Sequence, residues 1–284
     1  MVGPKEKREA VELLKEKFKV SLKRACDVLG LNRSTFDYKK TASKDEAVKT
    51  RMLELTDRFR RFGRPRIHAL LVREGLVQNE KRTRRIYCEL KLQLKHRRGK
   101  KKNNVTRIPL PKASRPNQIW SMDFIHDRLE CGRKLKILNV VDDYTKICVG
   151  QFVGSTITGF QLVKFFSDQD ELPTWLRCDN GPEFWSNVFQ NWGHGKVNFD
   201  FIQPGKPQQN AYIESFNGKF RDECLNQNIF FSVEHAKEVI ENWRNEYNEI
   251  RPHSSIGMKS PKEFEEEYFY MIKENSERVK FMTS

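Results

Sequence analysis

Three carboxylates in the second half of the chain, Asp123, Asp179 and Glu214, are the residues whose types could perform chemistry together. Carboxylate oxygens are the hard ligands that Mg²⁺ and Mn²⁺ prefer. Two such ions about 4 Å apart can activate an attacking oxygen and stabilise a leaving oxygen in an in-line displacement at phosphorus. No soft ligand set competes with this interpretation, because the cysteines and histidines are scattered and a Gly-x-Ser-x-Gly motif is absent.

Asp123 lies in a segment that has the period of a β-strand. Residues 117–125 alternate between two faces that are both largely apolar, which predicts a central strand covered on both sides. A buried carboxylate without a partner costs several kcal/mol. We therefore expect Asp123 to lie beside a cation or at an open strand end.

A hairpin follows in the sequence. Residues 135–141 and 147–152 are two apolar runs joined by a polar turn, which predicts two antiparallel strands. The acids of that turn, Asp142 and Asp143, can serve as turn formers and are second candidates for metal ligands.

Asp179 comes just after a short predicted strand, residues 175–177, and just before an Asn-Gly turn. A helix predicted over residues 160–166 separates this strand from the hairpin. In sheets with helices on their faces, ligands collect at the carboxyl ends of strands. These elements together predict a mixed sheet flanked by helices, with Asp179 at a functional edge.

Glu214 lies on a predicted amphipathic helix. Prolines before the helix forbid regular structure, and the side chain of Asn210 is expected to cap its first turn. An apolar stripe recurs every four residues: Tyr212, Phe216, Phe220 and Cys224. A second face carries Glu214, Asn217, Gly218 and Arg221. An exposed acid on such a helix is usually only solvated, so the case for Glu214 depends on the other two carboxylates.

The charge of the chain indicates a polyanionic partner. Among 284 residues, 53 Lys and Arg stand against 38 Asp and Glu, a formal net charge of +15. Nucleic acid is the leading candidate for the partner. The sequence has no run near the roughly 18 apolar residues of a membrane-spanning helix, and we expect a cytoplasmic protein with reduced cysteines.

The first 45 residues predict a helix-turn-helix module. A helix over residues 5–18 and a second helix after Ser21 are followed by Gly30, and a third helix begins near Asn32 and carries Arg33. In a helix-turn-helix, the second helix of the pair enters a DNA major groove. An ordinary three-helix bundle is the alternative.

Residues 46–103 repeat this plan in a second helical module. The first helix has Met52, Leu53, Leu55 and Phe59 as its expected buried residues. A second helix stops at Gly75, and Asn79 is expected to cap a basic helix. That helix carries the candidate DNA contacts Lys81, Arg82 and Arg84. A basic linker closes the module, and an extended connector over residues 104–116 leads to the catalytic core, residues 117–284.

Five segments of the core occur in a characteristic order. They are residues 120–124 (WSMDF), 139–143 (NVVDD), 179–184 (DNGPEF), 204–218 (PGKPQQNAYIESFNG) and 247–255 (YNEIRPHSS). These segments resemble OrfB-type transposases of the insertion-sequence-three family, which share the retroviral integrase core. The stretch between Asp179 and Glu214 is one residue shorter than is usual in that family.

This resemblance implies a fold, an activity and a metal requirement. The fold is an α/β, RNase H-like mixed sheet flanked by helices and preceded by all-α helix-turn-helix modules. The activity is DDE chemistry at Asp123, Asp179 and Glu214 with two divalent ions, Mg²⁺ or Mn²⁺. The reaction cleaves DNA at the element ends, and the 3′-hydroxyl is then joined to DNA in a new phosphodiester bond.

The resemblance also implies partners and a location. They are terminal-repeat and target DNA, an OrfA product or an OrfA-OrfB fusion, and further copies of the chain on DNA, in the bacterial cytoplasm with the nucleoid. Four residues that flank Glu214 are the candidate phosphate contacts of the core: Lys206, Asn210, Asn217 and Arg221.

Two other functions stay open at this point. A catalytically inactive DNA-binding regulator derived from a transposase would need the helical modules but not all three carboxylates. A ribonuclease of the same fold is the third possibility, and nothing in the sequence indicates recognition of a hybrid duplex.

Overall fold

The computed structural model describes residues 3–37, 45–95, 112–203 and 207–282. The chain divides into a small unit, Met1–Val48, and a large unit, Lys49–Ser284. The basic run after Lys95, most of the predicted connector, and Lys206 lie outside the described residues. In the part that is described, no helix combines the length and the apolar character needed to cross a membrane.

The small unit contains the three helices that the sequence predicts. They are α1 (Pro4–Phe18), α2 (Leu22–Val28) and α3 (Arg33–Asp37). The Ser21 hydroxyl accepts a backbone hydrogen bond at the start of α2, and Gly30 adopts φ 57° in the turn before α3. Val11 of α1 and Ala25 of α2 lie in one small buried cluster. The order of helix, glycine turn and helix is therefore present.

Three further helices follow, and Gly75 and Asn79 lie at helix ends as predicted. The helices are α4 (Glu46–Arg58), α5 (Arg64–Arg73) and α6 (Glu80–Glu89). Gly75 adopts φ 71° after α5, a conformation that glycine tolerates. The Asn79 side chain accepts a hydrogen bond of 2.9 Å from the Lys81 amide and so caps α6.

One predicted core position of α4 is wrong. Met52, Leu55 and Phe59 are buried, whereas Leu53 is 46% exposed. The buried residues follow the spacing of three and four that keeps one helix face inward. Leu53 follows Met52 directly and lies about 100° away around the helix, so it faces solvent.

A five-stranded mixed sheet forms the centre of the large unit. Its strands are β1 (Ile119–Arg128), β2 (Lys134–Asp142), β3 (Cys148–Gly154), β4 (Trp175–Cys178) and β5 (Asn198–Phe201). The strand order is β3-β2-β1-β4-β5. β2 is antiparallel to both β1 and β3, while β4 is parallel to β1 and β5 is parallel to β4. The strand of Asp123 is therefore central, as predicted.

β5 is a strand that the sequence analysis did not predict. It has four residues, of which Asn198 is exposed and the other three are half-buried. A short edge strand with polar residues lacks the alternation by which a buried strand is recognised. Only its pairing with β4 identifies it.

Helices cover both faces of the sheet. They are α7 (Gly159–Ser167), α8 (Asn187–Gly193), α9 (Ala211–Glu223), α10 (Val233–Glu249) and α11 (Pro261–Met282). On one face, Ile137 of the sheet shares a buried cluster with Phe216 of α9 and Trp243 of α10. On the other face, Met122 lies in a cluster with Phe166 of α7. The predicted mixed sheet flanked by helices is confirmed.

The buried stripe of α9 differs from the predicted one by a single residue. Ile213, Phe216 and Phe220 are the buried residues of the helix. Tyr212, which the period-of-four pattern placed in the stripe, is half-buried, and the Lys146 ammonium lies 4.0 Å from the centre of its ring. Ile213 replaces it because a helix face follows spacings of three as well as four.

Candidate active site

Asp123 lies on the face of β1 that α9 covers. Its Oδ1 accepts a hydrogen bond of 2.8 Å from the Phe124 amide, and its Oδ2 accepts one of 2.9 Å from Nδ2 of Asn217. Within the described ranges no Lys or Arg forms an ion pair with this carboxylate, and its Oδ2 is bound by a neutral amide from α9. That Asp123 lies beside a cation or at an open strand end stays a prediction.

A line of side-chain amides stands behind Asp123. Asn139 of β2 is the cross-strand neighbour of Asp123, and Gln151 of β3 is the cross-strand neighbour of Asn139. Asn139 Nδ2 donates to Asn217 Oδ1 at 2.6 Å, and Gln151 Nε2 donates to Asn139 Oδ1 at 2.6 Å. The amide of Asn217 is thus oriented with its NH₂ group toward Asp123.

The sequence analysis missed Asn139 and Gln151. The available signal was an amide, Asn139, between two pairs of apolar residues in a predicted strand, and the structure shows it fully buried. Buried polar side chains are nearly always hydrogen-bonded, so such a residue predicts a polar partner. Asn217, a predicted contact to DNA phosphate, is half-buried, and its amide makes these two hydrogen bonds inside the protein.

Asp179 follows β4 directly, at its carboxyl end. β1 and β4 pair in parallel with Ser121 opposite Arg177. Asp123 and Asp179 each come two residues after this pair, Asp179 just beyond the end of β4, and the negative charge of Asp179 acts on the Asp123 carboxyl group. Asp179 Oδ1 accepts a hydrogen bond of 2.9 Å from the Gly181 amide, which fixes the start of the following turn.

Glu214 lies in the first turn of α9 and its side chain is exposed. It precedes Asn217 by three residues, so both side chains emerge from the same side of the helix. Asn217 contacts Asp123 directly, and the negative charge of Glu214 also acts on the Asp123 carboxyl group, so the two acids lie in the same region. The three predicted carboxylates are therefore brought to one region of the fold.

The electrostatics of Asp123 agree with this arrangement. Burial is the main cause that raises the pKa of Asp123 to about 6, and the negative charges of Asp179 and Glu214 raise it further. Within the described residues, no three His, Cys, Asp or Glu side chains form a ready metal site. The donor set nevertheless fits a hard divalent cation, because such an ion would relieve the repulsion among the three acids.

Asn210 does not cap α9 in the predicted way. Pro207–Asn210 form a 3₁₀ turn, which gives Asn210 φ −101° and ψ 12° rather than the extended backbone of a helix cap. Its side chain makes no capping hydrogen bond, and its buried Oδ1 has no hydrogen-bond partner among the described residues. Asn210 is 5% exposed, so the predicted phosphate contact from this side chain is not accessible.

The predicted basic contacts occupy separate places. Arg221 Nη2 donates to the His126 carbonyl at 2.7 Å, which holds its guanidinium beside β1. Lys81 and Arg84 are exposed on α6, and Arg82 is half-buried there. Arg33 is exposed at the start of α3 in the small unit, and Lys206 lies outside the described residues.

Three matches to family models follow the order of the elements. An HTH-like domain matches residues 43–101, and two integrase core domain models match residues 113–207 and 195–261. The HTH-like match covers the helices α4 to α6. The integrase core matches cover the sheet and the helix that carries Glu214.

Relatives encoded by insertion elements match almost the whole chain. The "Insertion element IS407 uncharacterized 31.7 kDa protein" of Burkholderia multivorans is 43% identical over 256 residues, which is 88% of this chain and 92% of that protein. The "Insertion element IS476 uncharacterized 39.2 kDa protein" of Xanthomonas euvesicatoria is 43% identical over 274 residues, 94% of this chain and 79% of that protein.

A more distant relative carries a function in its name. The "Transposase for insertion sequence element IS904" of Lactococcus lactis is 25% identical over 222 residues, 72% of this chain and 87% of that protein. The integrase core, the HTH-like domain before it and the extent of the identity to insertion-element proteins lead to one conclusion: the chain belongs to the insertion-sequence-three family of DDE transposases.

Proposed function

We propose that Asp123, Asp179 and Glu214 are the catalytic carboxylates of this DNA transposase and that together they hold two divalent ions, Mg²⁺ or Mn²⁺. The observation that carries this assignment is the hydrogen bond between Asn217 and Asp123, since it ties the helix of Glu214 to the central strand. Asp179 supports the assignment because it lies two residues beyond the Ser121–Arg177 pair and its negative charge raises the pKa of Asp123.

The reaction that follows is a pair of displacements at phosphorus. Water first attacks a phosphodiester at the element end and leaves a 3′-hydroxyl, which then attacks a phosphodiester of target DNA. One bond from phosphorus to oxygen forms as another breaks in each step, and no covalent protein intermediate forms. When bound, the divalent ions supply the Lewis acidity for both steps.

The residues of the chain have distinct parts in this reaction. The three carboxylates hold the charge that binds the ions, and the amide of Asn217 keeps the carboxyl group of Asp123 in one orientation. The exposed basic residues Lys81 and Arg84, with Arg33 in the small unit, are the proposed contacts to DNA phosphates outside the active site. Lys206 stays a further proposed contact.

The proposed assembly contains DNA and more than one protein chain. Element-end DNA and target DNA are its substrates, and we expect further copies of this chain and an upstream OrfA product, or an OrfA-OrfB fusion, in the same complex. This assembly would act in the bacterial cytoplasm at the nucleoid. The net charge of +15 supports binding to DNA.

Strand transfer by matched variants tests the assignment of the carboxylates. Wild-type protein should join a labelled element-end oligonucleotide to target DNA in Mg²⁺ or Mn²⁺. Glu214→Gln should abolish joining while DNA binding is retained. Glu238→Gln is the control, because Glu238 is an exposed acid on α10 and should not affect joining.

Two outcomes would contradict this proposal. If Glu214→Gln joined DNA as well as the wild type, the assignment of the site would be wrong. If wild-type protein bound DNA but never cut or joined it, even when supplied with the OrfA product, the chain would be a regulator derived from a transposase.

A further inference from the structure

A basic groove runs along the outer side of α9, next to the candidate active site. It has a cavity volume of about 480 Å³. Its walls come from the helical module and from α9, with Arg61, Arg66 and Lys95 on the module side and Gly218, Lys219 and Arg221 on the α9 side. This set of residues is called the α9 groove below. The other residues that line the groove are Leu94, Ser215, Asp222 and Glu223, so its ten lining residues include five cations and two acids.

The acids of the α9 groove are already engaged. Asp222 lies 3.3 Å from the Arg61 guanidinium. Glu223 lies 3.3 Å from that of Arg66 and also receives two hydrogen bonds of 2.7 Å from Arg251. These pairs hold the helical module against the core, and both acids are engaged by Arg side chains.

Lys219 lines the groove and is half-buried. In the part of the chain that the structure describes, its ammonium forms no ion pair with a carboxylate. Burial lowers the pKa of Lys219 to about 8, and the nearby cations Arg251, Arg66 and Lys146 lower it further, while Glu223 acts in the opposite direction. A half-buried cation surrounded by other cations is stabilised when an anion binds beside it.

Gly218 connects the groove to the candidate active site. It follows Glu214 by four residues, so both lie on neighbouring parts of the same helix side. Among the described residues, a Cβ added at Gly218 would meet no atom within 4 Å, so the helix surface at Gly218 is open. An extended ligand can therefore lie over Gly218, between Glu214 and the rest of the groove.

We propose that the α9 groove binds the sugar-phosphate backbone of element-end DNA beside the reacting phosphate, with Lys219 as its central phosphate contact. This inference rests on the proposed function, because the DNA that the groove would bind is the substrate of the proposed reaction. A polymer of phosphates matches the groove because the groove presents several cations along a continuous surface that leads to the active site. The helical module and the catalytic helix then bind one DNA segment jointly.

Equilibrium binding of the full-length chain to a labelled element-end duplex tests the proposal. The assay is run in EDTA, so its result does not depend on catalysis. Lys219→Gln should weaken binding about fivefold or more and should reduce the slope of log K against log salt by about 1, as expected for one lost phosphate contact. Lys219→Arg should retain binding, and Lys237→Gln, an exposed lysine on α10, is the matched control.

A steric variant provides a second measurement. Gly218→Leu keeps every charge of the groove and fills its open surface, so it should weaken DNA binding while its melting temperature stays near that of the wild type. Melting temperatures of both variants show whether they fold.

Three results would overturn the inference. The first is a Lys219→Gln affinity and salt slope equal to those of the Lys237→Gln control. The second is a folded Gly218→Leu variant that binds DNA like the wild type. The third is full competition by millimolar inorganic phosphate, which would indicate a site for free phosphate. Failure of strand transfer with normal Lys219-dependent binding would instead count against the proposed function alone.

Discussion

Asn217 of α9 donates a hydrogen bond of 2.9 Å to the Asp123 carboxylate of β1, and the same amide accepts one of 2.6 Å from Asn139. The position of the helix that carries Glu214 is therefore linked to the strand that carries Asp123. Side chains that orient a metal-binding carboxylate typically change metal affinity or activity by about 10–100-fold when removed.

Asn217→Ala should lower strand transfer by about 10–100-fold and raise the Mg²⁺ concentration needed for half-maximal joining. Binding of end DNA in EDTA should stay unchanged, which separates a positioning role from a DNA contact. Asn217→Gln, which retains the amide, should recover part of the activity at high Mg²⁺. A loss of DNA binding with an unchanged Mg²⁺ requirement would contradict this role.

Two helical glycines should respond in opposite ways to alanine. Gly218→Ala should stabilise the protein by up to about 1 kcal/mol, because alanine favours helix and the space beside Gly218 is open. Gly193→Ala in α8 should destabilise it by roughly 1–3 kcal/mol, because the added methyl would lie 2.5 Å from the Phe199 ring. Denaturant unfolding of the two variants measures both effects, and a shared sign would refute the contrast.

The buried ion pair of Arg177 should be important for stability. Arg177 and Asp143 have side-chain exposures of 4% and 0%, and their charged atoms lie 3.1 Å apart. Arg177→Met leaves the Asp143 carboxylate buried and unpaired, and should cost about 3–5 kcal/mol of unfolding free energy.

Asp200 provides the internal comparison for Arg177. It pairs with the same guanidinium at 2.8 Å but is 42% exposed. Asp200→Asn should therefore cost no more than about 1 kcal/mol. Equal losses of unfolding free energy in Arg177→Met and Asp200→Asn would show that burial does not set the strength of these ion pairs.

Stability should fall in acid partly because of His253. The side chain is buried, and burial together with Arg251 and neighbouring lysines lowers the pKa of His253 to about 2. The unfolded chain has a His pKa near 6.5 and so binds more protons between those two values. His253 therefore reduces stability by up to about 1.4 kcal/mol per pH unit as the pH falls below about 6.5.

Urea unfolding at neutral and mildly acidic pH tests this dependence. His253→Gln keeps an acceptor for Arg251, whose Nη1 lies 3.2 Å from the His253 Nε2, but it does not titrate in this range. The variant should lose less stability than the wild type on acidification. Parallel pH profiles for the two proteins would show that other groups cause the acid sensitivity.

The local periodicity of apolar residues was sufficient to predict most of the helices and strands. The alternation of residues 117–125 predicted the central strand, and the spacing of apolar residues predicted the helix of Glu214, because strand and helix periods are properties of neighbouring residues. It failed at β5, a short polar edge strand, and at Leu53 and Tyr212, where an apolar residue was assigned to the wrong side of its helix.

By itself, the sequence determined the identity and chain positions of Asp123, Asp179 and Glu214, the strand or helix that carries each of them, and the basic charge. Only the tertiary structure decided what surrounds them. The hydrogen-bonded amides of Asn139 and Gln151 and the groove around Lys219 bring together side chains from elements far apart in the chain. Such contacts depend on strand register and helix packing, which periodicity along one segment does not specify.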